Sequence, residues 1–205
     1  RGYPDSTMGV LLAIRGAGNL VSFLLVIRLA QWNVHVTLTL GFLCQAVSGW
    51  AISQYDINLT YFDVAWTGVL QGVGIGLTWV PLTLIMFSTV KPAYLDDATA
   101  VFHMLRNFAS SLFISISVAV VIQSTFINSA ELGMPLSEFS KVLTMPWAIG
   151  IFDVSSTQGL AAATGEIERQ AAMIGYINAF RLFAIISLIP IPLIWLARMP
   201  KQDAD

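Results

Sequence analysis

Charge is scarce in this sequence. Lys, Arg, Asp and Glu make up 11% of 205 residues, where a soluble domain carries about a quarter. Hydrophobic residues reach 56% and the mean hydropathy is +0.74. A water-soluble globule is thereby excluded, and a polytopic membrane protein is the expectation. The net charge of −2 is too small to hold nucleic acid. Cysteine is nearly absent: Cys44 alone, in an apolar run, allows neither an internal disulfide nor a cysteine metal cluster. The two histidines, His35 and His103, are far apart. No Ser/His/Asp set, metal-ligand cluster or zincin motif falls on one helix face, so neither an enzyme nor a bound metal or cofactor is expected. No Asp or Glu lies deep within an apolar run. The chain opens on Arg1, and no charged segment with a cleavage site precedes the first apolar run. The expectation is therefore a piece of something longer, without a signal peptide.

What is present is a series of five apolar runs, each near the roughly 20 residues a helix needs to cross a bilayer. The spans are expected at about 8–29, 34–53, 62–90, 98–126 and 171–197, with an outer loop at 128–170, in a single membrane domain. The fold class is all-α, a polytopic membrane helix bundle. Asp5, Ser6 and Thr7 supply cap chemistry for the first span. The second span carries no ionisable group after His35 and is expected to be the most lipid-exposed. Trp50, Tyr55 and Tyr61 suit an interfacial belt. Within the outer loop, Met145–Phe152 is apolar but too short to span, and suits the membrane surface or the side of the bundle.

The chain is organised around the third and fourth spans, Val64 to Gln123. Gly68, Gly72 and Gly76 repeat every four residues, a spacing that lets another backbone approach closely. Pro81 removes one hydrogen bond and frees the carbonyl of Leu77. These four are assigned to helix packing. Thr67, Gln71 and Thr78 form a polar stripe within about 40° of one another. They either line a cavity or hydrogen-bond between helices. On the fourth span, taking His103 as zero, Asn107 lies near +40°, Ser110 near −20°, Ser117 near −40° and Arg106 near −60° at about 100° per residue. Arg106 sits about 15 Å from the helix start, near mid-bilayer. Polar groups placed so deep usually mark a pathway. Arg106 is the leading candidate for a pathway charge, against a role in capping or packing. His103 is a proton-relay candidate or a packing residue. On the first span Arg15, Asn19 and Ser22 share one face at i, i+4 and i+7, turned to a cavity or to a neighbouring helix. Arg181 suits an outward-reaching anchor. Trp66 and Trp79 suit ligand stacking or core packing.

The stretches GYPDSTMGVLLAIRGAGN, LQGVGIGLTWVPLT, ATAVFHMLRNFASSLFISISVAV and RQAAMIGYINAFRLFAIISL resemble the last five helices of a major facilitator superfamily transporter. The closer likeness is to the fourteen-span drug:proton antiporter branch, the EmrB/QacA type. The turn Asn107–Ser111 departs from it where glycines are usual, as do Asn178 where an aspartate is common and the Arg-poor AQWN loop.

The resemblance implies part of the C-terminal lobe of a rocker-switch carrier, with substrate bound near the midplane between two lobes. It implies proton-coupled efflux of small amphipathic or cationic compounds, driven by the proton gradient without a cofactor. Arg106, Asn107, His103, Ser110, Thr67, Gln71, Thr78, Arg15 and Asn19 would then belong to the substrate or ion pathway. The implied partners are the lipid bilayer, a small-molecule substrate, the N-terminal lobe and a periplasmic adaptor. Alternatives are a carrier of one metabolite, or a non-transporting membrane module that binds a partner lobe or adaptor. Arg28, Lys91, Arg198 and Lys201, against a loop between the second and third spans without Lys or Arg, place the N-terminus outside and the C-terminus in the cytoplasm of an inner-membrane protein.

Overall fold

A computed structural model describes residues 5–88, 90–134 and 156–196. Its elements are α1 (Asp5–Trp32), α2 (Val34–Ile52), α3 (Tyr61–Ser88), a short 3-10 turn (Pro92–Tyr94), α4 (Leu95–Gly133), α5 (Thr157–Leu188) and α6 (Pro190–Leu196). No strand occurs among the described residues. Among the described residues, five helical stretches are long and apolar enough to cross a membrane, α5 and α6 counting together.

The boundaries follow local chemistry. Asn33 caps α2, its side-chain oxygen accepting from the His35 and Val36 amides. Thr60 and Asp63 open α3 with reciprocal bonds: the Thr60 amide donates to the Asp63 carboxylate at 2.9 Å, and the Asp63 amide to the Thr60 hydroxyl at 3.3 Å. Ser156 Oγ accepts from the Gly159 amide at 3.0 Å and caps α5.

Two compact units result. The first holds residues 1–113 and 180–205, the second 114–179. In the first, α3 lies between α1 and α2. A methyl group added to Gly72 would strike the carbonyl oxygen of Arg15, and one on Gly76 the Ser22 hydroxyl. On the α2 side Gly41 and Gly74 face each other across the same kind of gap. Ser48 Oγ donates to the Thr67 carbonyl at 3.0 Å, and Gln45 Nε2 to Thr78 Oγ1 at 3.2 Å. The end of α5 joins α2, where Gly49 meets the Phe183 ring and Ala184. From α6, the Trp195 indole donates to Thr39 Oγ1 at 3.2 Å and lies 5.9 Å from the His35 ring.

In the second unit the later part of α4 meets the earlier part of α5. Gly175 sits against Val121 and Thr125. Asn178 Nδ2 donates to Ser124 Oγ at 2.7 Å, and Asn128 Nδ2 to the Ser124 carbonyl at 2.7 Å. Ala163 and Ala171 are buried on the α5 face that carries Gly175.

Three expectations are corrected. The second span is not the least buried: 33% of its most apolar window is buried, against 0% for α4. Small and polar residues (Thr37, Gly41, Ser48, Gly49) let α2 nest among its neighbours, which a reading of apolarity alone misses. The 128–170 segment is not all loop, since α4 continues to Gly133 and α5 begins at Thr157. There Glu166 pairs with Arg169 at 2.9 Å and accepts from Gln170, three and four residues on, within an Ala-rich run. The last span is not continuous to 197: Pro190 cannot donate to the preceding turn, so α5 ends at Leu188 and α6 starts at the proline. The expected surface segment Met145–Phe152, with Arg198 and Lys201, lies outside the described residues.

Candidate functional site

Helix α4 carries the polar arc expected of it. Its start needs little help: Lys91 and Pro92 lead into a 3-10 turn, and Asp96 and Asp97 sit in the first turn, where the helix dipole favours anions. His103, Arg106, Asn107 and Ser110 are all exposed. So are the apolar residues between and opposite them, including Leu105 at 58% and Leu112 at 54%. The first part of α4 therefore presents an amphipathic surface, with polar groups on one side and lipid-compatible groups on the other.

Arg106 does not stand alone on this surface. Its guanidinium carbon lies 4.5 Å from the Trp79 ring centroid, over the ring. Trp79 comes from the later half of α3, whose rings meet Phe102 near the start of α4. Phe102 lies 6.2 Å from Trp79 and 5.9 Å from Phe87, the latter edge-on. The His103 ring is 5.3 Å from that of Phe102. A cation thus sits at the margin of an aromatic wall built from two helices. Among the described residues, no carboxylate comes within ion-pair distance of Arg106 and none accepts a hydrogen bond from it. Trp79, read from the sequence as a stacking or packing residue, stacks on Arg106, a pairing that sequence reasoning missed. Phe102 and Arg106 are four apart and visible as a helix-face pair, but the register of α3 against α4 is a tertiary fact.

The other expected pathway residues lie elsewhere. Thr67 and Thr78 are buried at 1% and 8%, turned toward α2. Each also donates back to its own helix, Thr67 to the Asp63 carbonyl and Thr78 to that of Gly74. Gln71 is half-buried. Arg15 and Asn19 are half-buried on α1 beside Gly72 and Gly76 of α3. The Asn19 Oδ1 atom is buried without a hydrogen-bond partner. Pro81 is almost wholly buried inside a helix that continues past it. Arg181 is exposed on α5. The structure thus separates the candidates into an open group on α4 and a packed group among α1, α2 and α3. An apolar groove of about 520 Å³ between the starts of α1 and α3, lined by Val10, Ile14 and Phe62 among others, touches none of them.

Several curated proteins are similar to this chain. The multidrug export protein EmrB of Haemophilus influenzae is 24% identical over 170 residues, covering 82% of this chain and 33% of that protein. The fatty acid resistance protein FarB of Neisseria gonorrhoeae is 24% identical over 169 residues, again 82% and 33%. The multidrug export protein EmrB of Escherichia coli is 23% identical over 164 residues, 79% and 32%. The chain therefore spans about a third of the length of the curated relatives it matches. No family model matches it, and no solved structure does. With five membrane-length helices and these relatives together, the chain is similar to a stretch of an EmrB-type transporter of the major facilitator superfamily.

Proposed function

We propose that this chain is part of the C-terminal lobe of a secondary active, proton-coupled exporter of small amphipathic compounds. The observation that carries the reading is the exposed polar arc of α4, His103, Arg106, Asn107 and Ser110, on a helix otherwise fit for lipid. Lipid does not reward such a face, and a water-filled path does. The names of the relatives support export as the activity. The packed group belongs to the frame that holds the path: glycines set the α1–α3–α2 spacing, and Thr67, Thr78, Gln45 and Ser48 tie α3 to α2. In this reading the other lobe faces the arc across the substrate, and an adaptor meets the segment between α4 and α5. The chain lies in the inner membrane with its N-terminus outside, following Arg28 and Lys91 at one membrane face and a 53–60 connection without Lys or Arg at the other.

A carrier for one class of metabolite is the second reading, favoured by the relative named for fatty acid resistance. Either way the full-length gene product is expected to lower the accumulation of amphipathic dyes in exporter-deficient cells, and to stop doing so when a protonophore collapses the gradient. Arg106→Ala at equal membrane abundance is expected to abolish the effect. Accumulation unchanged across chemically diverse dyes would sink the export reading; efflux that survives gradient collapse would sink proton coupling alone.

A further inference from the structure

We propose that Trp79 and Arg106 form a subsite selecting anionic amphiphiles, in which Trp79 positions the guanidinium; this rests on the transport reading above. A cation–π contact holds the charge of Arg106 without consuming any of its five N–H donors. Those donors find no acceptor among the described residues, and the side chain is exposed. Charge and donors are therefore both available at a place fixed by α3. The fork of a guanidinium matches a planar anion with two oxygens better than any single-point acceptor.

Beside it stands the wall of Trp79, Phe102 and Phe87, with rings 5.9–6.2 Å apart. A ligand that fits both parts has an anionic head and an apolar body, as a long-chain or aromatic carboxylate does. A lipophilic cation fits the wall but meets like charge at its edge, an unfavourable pairing. Trp79 thus decides where the charge sits, and Arg106 decides which sign of ligand is accepted. Without the ring, the guanidinium keeps its charge but loses its fixed position.

The test measures efflux of a fluorescent long-chain carboxylate and of a lipophilic cationic dye by the full-length transporter. The carboxylate is expected to be the better substrate. Trp79→Ala is expected to raise its KM about two- to fivefold, as loss of an exposed cation–π contact implies, while kcat changes little. Trp79→Phe, which keeps a ring face, is expected to recover most of the loss and excludes a mere folding defect. Export of the cation but not the carboxylate overturns the anion assignment and leaves transport standing. An unchanged carboxylate KM in Trp79→Ala overturns the role of Trp79. Export of neither probe overturns this inference and the transport reading together.

Discussion

A methyl group added at Gly72 would meet the carbonyl oxygen of Arg15 and, at 2.9 Å, the amide of Asn19. Backbone cannot swing aside as a side chain can. At Gly68, one turn earlier on the same stripe, the same group would meet only Arg15 Cβ at 3.7 Å, an ordinary contact. The two positions share a spacing and differ in neighbour. Gly72→Ala is therefore expected to destabilise the α1–α3 pair by about 1–3 kcal/mol, the usual cost of overpacking. Gly68→Ala is expected to be tolerated. Thermal melting of the two variants in detergent separates them, and equal melting points would deny the close approach at Gly72. At this scale the sequence was partly legible. Four-residue glycine spacing announces a packing face, but which glycine touches backbone depends on where the α1 register falls. The same limit hid the pairing of Trp79 with Arg106, since nothing in a helix-by-helix reading brings residue 79 over residue 106.

At the scale of the element, α4 and α5 are longer than a bilayer requires. Their 39 and 32 residues correspond to about 58 Å and 48 Å of helix, against roughly 30 Å of hydrocarbon. Apolar content marks the spanning parts well, which is why the first three spans were placed within a few residues of α1, α2 and α3. It fails at the extensions, because charged residues there read as loop. Glu166 with Arg169 and Gln170, and the Ser156 cap, supply local reasons for helix that hydropathy does not register. Where α4 and α5 meet within the second unit, polar contacts join them. Asn178 donates to Ser124 across the helices, at the position where the resemblance would have placed an aspartate. An uncharged bond suits a purely structural tie. A double-mutant cycle of Ser124→Ala and Asn178→Ala is expected to give a coupling of about 0.6 kcal/mol, typical of interhelical hydrogen bonds in membrane proteins. Additive effects of the two substitutions would show that the bond contributes nothing.

At the scale of the whole molecule, the described helices divide their polar residues by use. In α1, α2 and α3, Gln45, Ser48, Thr67 and Thr78 tie α2 to α3 and glycines set close approaches, which together make a frame. The arc residues on the first part of α4 are exposed. Periodicity places both sets on helix faces but cannot tell a stripe that meets a neighbouring helix from one left exposed, since both are polar. That distinction is the core of the functional reading, and it is directly measurable. Cys44 is the one cysteine of this stretch. In a cysteine-less background of the full-length protein, Cys44→Ala included, Ser110→Cys sits in the arc, and Leu112→Cys sits about 180° from His103 on the same helix. Both positions are exposed in the structure, so only their surroundings in the membrane distinguish them. A water-soluble thiol reagent applied to intact membranes is expected to modify Ser110→Cys rapidly, Leu112→Cys slowly, and the first of these more slowly when a transported compound is present. Equal rates, or faster modification of Leu112→Cys, would contradict the account, because the α4 arc would not line a watery path.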